Sequence, residues 1–329
     1  MEQHNALSKL CCNSNESVED LITPQIETAE LIEPKRIHCA NVMSVDELDG
    51  EVEEALTFIA DIDLNVVVCG AILPVSGLTP EQLIKLRKQD ITTAERTAVL
   101  KIVCAASLSS EVVVAAQFNI EMTEAKMACL RPGTWLNDEV VNYYMCLLQQ
   151  RDKILHPQDS YDLCNLASHY FSSFFIAKLF CDKGVYDYAQ VARWSKKFDV
   201  FEKQKVLIPL HLSHQLHWVM MVIFIQKKEI HFYDSMSGNG HQYLHVVLKW
   251  LVDEALSKKQ TVLDPAEWKL IDEEHDVPQQ QNGYDCGVFT IMCADHLSDN
   301  LPISSYRQSE MPANRIKIGA AIIRGHLLY

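Results

Sequence analysis

The sequence lacks the marks of several large function classes. No Cys-x-x-Cys occurs among its 11 cysteines, and the odd number shows no paired spacing. That argues against a zinc ribbon, a thioredoxin-type redox pair and a secreted disulfide framework, and favours a reducing compartment. Long apolar runs are missing. Runs such as Val66–Leu73 and Val112–Ala116 fall far short of the ~20 residues a membrane helix needs. The opening MEQHNALSKLCCNSNESVED has no apolar stretch of the signal-peptide kind. Basic charge is scarce: 29 Lys and Arg stand against 44 Asp and Glu, for a net charge of −15. Nucleic-acid binding proteins carry the opposite balance. There is no strong basic cluster for nuclear import and no internal repeat. The expectation is a soluble, intracellular protein of the nucleus and/or cytoplasm, monomeric, with neither nucleic acid nor membrane as partner.

Acidity is unevenly spread. Residues 1–60 hold 13 Asp and Glu against 3 Lys and Arg, a net of −10 that leaves −5 for the rest. Residues 1 to about 48 are weakly patterned and read as mostly disordered, with a short helix around Ile26–Ile32. Residues 49–75 read as a helix and a buried strand. Within them Leu64–Val67, preceded by Asp61 and Asp63, has the alternation of a segment that adds a strand to a ubiquitin-like modifier. An ordinary core strand explains it better. Residues 1–78 are taken as an acidic extension or small accessory module, and residues 79–329 as the main domain.

That domain reads as α+β. Thr79-Pro80 opens a helix as N-cap and first helical residue. RTAVLKIVCAA reads as helix, and Asn137 or Asp138 caps another whose apolar face is Val140, Val141, Tyr144, Leu147 and Leu148. HYFSSFFIAKLF and DYAQVARWSKKF read as two more helices. Then the period changes. VLIPLHL, HWVMMVIFIQ and EIHFYDS are β-rich, with a turn at Lys227-Lys228 between the last two. HQYLHVVLKWLVDEAL returns to helix, WKLIDEE is a fourth strand, and VPQQQNGYDCGVFTI closes the pattern.

This last stretch carries the chemistry. Asn282-Gly283 breaks the backbone, and Val288, Phe289, Ile291 and Met292 recur at helical spacing. Cys286 therefore sits at a helix N-terminus, where free N–H groups and the helix dipole favour a thiolate. A small buried cysteine would fit the same pattern. A nucleophile also needs a base and a group to orient it. His217 opens one strand and Asp234 closes the next. A two-residue turn would pair Met221 with Asp234 and leave His217 four residues away, roughly 13 Å. A wider turn, a bulge or strong curl must close that gap. His211, His214 and His217 form HxxHxxH, but three-residue steps alternate faces on a strand, so no metal site is expected. Gln280, six residues before Cys286, could donate an amide N–H to an oxyanion. Trp135 and Trp218 are candidate walls of a tunnel that admits glycine and excludes a Cβ, although a single tryptophan is more often core.

WLNDEVVNYYM, FFIAKL, VARWSKKFDVF, VLIPLHL, HWVMMVIF, YDSMSG and PQQQNGYDCGVF follow in order. Together they resemble the Ulp1 and sentrin(SUMO)-specific protease family from about residue 93 to the end. The resemblance implies a papain-like α+β fold with a small central sheet between helices. It implies a triad of His217, Asp234 and Cys286, an oxyanion hole lined by Gln280, and Trp135 and Trp218 flanking the tunnel for a Gly-Gly tail. It implies a thiol protease needing no cofactor, whose partners are a SUMO-type modifier and its lysine-linked conjugates. The NGYDCG and HW motifs sit nearer the SUMO-directed than the NEDD8-directed branch. Related folds use a Cys-His-acid set to transfer acetyl groups, but no basic patch for the phosphates of acetyl-CoA is evident here.

Overall fold

The computed structural model describes residues 79–89, 91–155, 167–180, 184–272 and 276–328. The expected helix at Ile26–Ile32, the elements of residues 49–75 and the Leu64–Val67 segment lie outside them.

Helix α1 (Pro80–Lys88) starts as its sequence demands. Thr79 accepts the Gln82 N–H and the Gln82 side chain returns to the Thr79 N–H, a capping box. Helix α2 (Thr93–Val103) repeats the device with Thr92 and Glu95. Strands β1 (Val113–Gln117) and β2 (Ile120–Thr123) form a separate antiparallel hairpin, and the short α3 (Glu124–Met127) follows. Helix α4 (Asp138–Leu155) is capped by Asn137, whose Oδ1 accepts the Val140 N–H at 2.9 Å.

The expected helix over HYFSSFFIAKLF divides into β3 (His169–Tyr170) and α5 (Phe174–Leu179). DYAQVARWSKKF makes one 3₁₀ turn at Tyr188–Gln190 and then a run of turns. There Trp194 and Phe198 turn onto Phe171, so aromatic packing overrides helical propensity.

Strands β4 (Lys205–Leu212), β5 (His217–Phe224), β6 (Glu229–Tyr233) and β7 (Lys269–Ile271) complete a sheet of order β3-β4-β5-β6-β7, antiparallel at its centre and parallel at both edges. Period-two alternation divides the core. Leu207, Trp218, Met220 and Val222 join the cluster of α4, α7 (Cys286–Ser298) and α8 (Met311–Arg324). Val206, Ile208, Val219, Met221 and Ile223 join that of α5 and α6 (His241–Glu254). The central strands are therefore apolar on both faces.

Helix α7 is buried along nearly its whole length and packs on β5. Its C-terminal end is held by charge. Arg151 bonds Asp295 at 2.9 Å and Asp299 at 3.2 Å, Arg87 bonds both, and Lys205 reaches Asn300 at 2.8 Å. Burial would raise the Asp295 pKa, but the two guanidiniums hold that carboxyl far below the usual range.

Candidate active site

The hairpin between β5 and β6 decides whether His217 and Asp234 meet. Phe224 pairs with Glu229 and Met220 with Tyr233, so the connection is the four residues Ile225–Lys228 rather than two. The register moves by two residues relative to the tighter turn. Asp234 becomes a same-face diagonal neighbour of His217, a separation of ~7–8 Å between backbones that side chains can span. Here the wider turn supplies what the sequence required, with Lys228 taking the left-handed conformation at φ 53°.

The His217 Nε2–H donates to Asp234 Oδ1 at 2.6 Å, with His217 5% and Asp234 6% exposed. Asp234 also accepts the backbone N–H of Met236 at 2.7 Å and of Gly238 at 2.9 Å. A Cβ at Gly238 would collide with that carboxylate, so the loop can cradle it only with glycine there. Burial raises the Asp234 pKa, but the bonds from His217, Met236 and Gly238 outweigh it and leave the carboxyl below its ordinary 3.8. Cys286 lies close enough to the same ring to raise its pKa. Burial alone would lower the His217 pKa. The bonds to Asp234 and Cys286, and the negative charge of both, push it up to about 9.

The sign of the pH dependence follows. His217 titrates higher folded than its ordinary 6.5, so its contribution to stability is full below about 6.5 and lost as pH rises through about 9. The Tm difference between wild type and His217→Ala should shrink over that interval. A constant difference would contradict the arrangement. The Asp234 contribution runs the other way, present above about 3.8 and lost as pH falls through its lower folded value.

Cys286 is the first residue of α7 and 1% exposed. Asp285 precedes it at φ −90°, ψ 0° and makes no side-chain cap to its own helix. Its carboxylate is used instead by Arg315, with bonds of 3.0 and 2.8 Å, by Asn282 at 2.7 Å and by Gln308 at 2.8 Å. The N–H groups that open α7 around Cys286 thus escape a side-chain cap and can serve a bound anion.

The three adjacent glutamines separate clearly. Gln280 is tied to the residue after Asp234: its N–H donates to the Ser235 carbonyl at 2.9 Å, and Ser235 Oγ donates to its Oε1 at 2.7 Å. Its Nε2 donates to the Asn282 carbonyl at 2.6 Å. Gln279 is turned to the Asp234 carbonyl at 3.1 Å, and the Gln281 N–H donates to Gln308. Sequence reasoning passed over Ser235 and Arg315. Ser235 gave no signal. Arg315 did, because it interrupts the apolar face of Met311, Ile318 and Ile322, where a charge demands a buried partner.

The two tryptophans part company. Trp135 is 48% exposed and its indole N–H donates to the Gly283 carbonyl. Trp218 is 3% exposed, lies in the core, and donates to the Leu136 carbonyl at 3.0 Å. Trp218→Ala should therefore lose ~3–5 kcal/mol of stability as well as activity. Trp135→Ala should leave the Tm nearly unchanged and raise KM. An unchanged Tm in Trp218→Ala would contradict its place in the core. His211 leans on Trp218 with ring centroids 4.6 Å apart, and His214 is exposed in the β4–β5 turn.

Residues 134–327 match the Ulp1 protease family, C-terminal catalytic domain. The chain belongs to the Ulp1 protease family. Its similarity to sentrin-specific protease 2 of Mus musculus is 37% identity over 217 residues, 66% of this chain and 34% of that protein. For a putative ubiquitin-like-specific protease 1B of Arabidopsis thaliana it is 36% over 211 residues, 63% of this chain and 59% of the relative. The chain thus spans about a third of the length of the sentrin-specific proteases it matches. The fold of this Ulp1-family chain is similar to that of SUMO protease Ulp1, solved with its catalytic cysteine oxidised to a sulfenic acid: TM-score 0.57, 25% identity, 71% of this chain and 96% of that one. It is also similar in fold to the Ulp1 protease domain solved in complex with Smt3, the yeast orthologue of SUMO, at TM-score 0.58 and 24% identity, again over 71% and 96%.

Proposed function

We propose that this chain is a thiol protease that cleaves after the C-terminal Gly-Gly of a SUMO-type modifier, in release from lysine, in precursor maturation, or both. The observation that carries the reading is Cys286 at the uncapped start of a buried helix, beside a histidine whose far nitrogen is held by Asp234. The names of the sentrin-specific relatives support the choice of modifier.

The steps follow from the geometry. A cationic His217 stabilises the Cys286 thiolate, and Asp234 holds the ring and its tautomer. The thiolate attacks the carbonyl carbon of the terminal glycine. Negative charge develops on the carbonyl oxygen, where the Cys286 N–H and the second N–H of the Gln280 amide would receive it, an arrangement whose loss typically slows turnover by ~10²–10³. The Nδ1 proton of His217 passes to the departing amine, and the C–N bond breaks to a thioester. Water, deprotonated by the now neutral His217, releases the modifier and regenerates the thiolate. Trp135, exposed beside Gly283, would lie along the tail. No step requires a metal or organic cofactor.

No helix among the described residues is long and apolar enough to cross a membrane. Action within the cell, on nuclear or cytoplasmic conjugates, fits a catalytic thiol that must stay reduced.

The test is reaction of the purified chain with C-terminal electrophile probes of SUMO, NEDD8 and ubiquitin, with Cys286→Ser as control. One adduct with the SUMO probe, absent in the variant, is expected. An adduct with NEDD8 or ubiquitin alone would keep the protease and overturn the substrate. No adduct with any probe would overturn the protease reading in favour of acyl transfer or modifier binding.

A further inference from the structure

Away from the cysteine, two histidines at the start of α6 present the same ring atom to each other. His241 and His245 lie four residues apart and so share a helix face. Their Nε2 atoms are 3.1 Å apart, with the rings crossed at 74°. His241 is exposed and His245 half-buried, so the pair opens to solvent. Neither residue takes part in the chemistry above.

A neutral pair keeps this spacing with one N–H···N bond. Two imidazoles on one metal ion keep it too. With metal–nitrogen bonds of about 2.0–2.1 Å, a tetrahedral ion sets its ligand nitrogens about 3.3 Å apart, and cis ligands at a right angle stand about 2.9 Å apart. The observed separation falls between the two. We infer that His241 and His245 form a two-histidine site for a divalent transition metal of the Zn²⁺, Ni²⁺ and Cu²⁺ class. Mg²⁺ and Ca²⁺, which take oxygen ligands, would not use it. Among the described residues no third His, Cys, Asp or Glu completes a ligand set, so water fills the remaining positions and affinity rests on the chelate. The second imidazole joins intramolecularly, which strengthens binding by roughly tenfold or more over one histidine.

The position gives the site a consequence. Helix α6 begins where the Asp234 loop ends. Asn239 Oδ1 accepts the His241 N–H at 2.8 Å, the Gly240 N–H donates to Asp272 at 2.6 Å, and Gly238 holds Asp234. A metal clipping the first turn of α6 would stiffen the run that carries the acid.

Zn²⁺ titrated into the full chain at neutral pH tests this, read by the ring ¹⁵N signals of His241 and His245. The titration is repeated in Cys286→Ser, because a thiolate and His217 also take Zn²⁺. Both rings should respond together in both proteins. His241→Gln should weaken the affinity read at His245 by roughly tenfold or more, and His245→Gln should do the same at His241. Rings that do not move at millimolar Zn²⁺, or single variants that bind as tightly as wild type, would overturn the site.

Discussion

Cys286→Ser should lower modifier cleavage by roughly 10⁴-fold or more while leaving modifier affinity within about twofold. The replacement is close to isosteric, so the fold tolerates it. Cys286 sits 1% exposed at the first position of α7, and an oxygen there meets the same packing. What changes is acidity. A hydroxyl is a far weaker acid than a thiol, and an imidazole whose pKa Asp234 and Cys286 together raise to about 9, against the opposing pull of burial, cannot hold a serine alkoxide as it would a thiolate. His217, Asp234 and Gln280 stay in place, so the surface that receives the modifier should persist. The measurement is single-turnover cleavage of a modifier precursor beside a direct binding titration. Turnover near wild type would remove Cys286 from the mechanism. Binding lost together with turnover would mean that the serine disturbs the helix start, and melting would show it.

How much of this site was legible depends on the range of the interaction that builds it. Thr79, Asn137 and the Asn282-Gly283 turn act on neighbours within a few residues, and their helices begin where those residues place them. The faces of β4 and β5 were readable because alternation is a property of the strand itself. The β5–β6 register was not readable. A two-residue and a four-residue loop at Lys227-Lys228 differ only in packing elsewhere, yet the choice moves Asp234 two residues relative to His217. The β1–β2 hairpin escaped for a local reason. Its turn puts Phe118 and Asn119 at φ 57° and 59°, a conformation Asn adopts readily and Phe rarely. Strand β3 is two residues long and exists only because β4 offers it an edge. The hold of Ser235 on Gln280 spans 45 residues of sequence and leaves no mark in either segment.

Replacing Arg315 by Leu should have the second-largest effect, and through a different route. The guanidinium is buried, donates from both Nε and Nη2 to Oδ1 of Asp285, and donates to the carbonyls of Cys129, Arg131 and Tyr284. It thereby ties α8 to the segment before α4 and to the residue just ahead of Cys286. Removing it leaves Asp285 as a buried charge with only Asn282 and Gln308 as side-chain donors. Loss of one partner of such a pair costs ~3–5 kcal/mol. For a domain of this size that is a fall in Tm of roughly 6–20 °C. Activity should fall further than the unfolded fraction explains, with kcat reduced more than KM, because the start of α7 sets the position of the thiol and of the N–H groups around it. Adding Asp285→Asn removes the stranded charge. That double variant should regain part of the stability and little of kcat, since the three carbonyl contacts are still missing. If kcat returned along with Tm, Arg315 would be a stabilising residue alone. If Tm returned and kcat did not, then α8 sets the geometry of a thiol it does not touch.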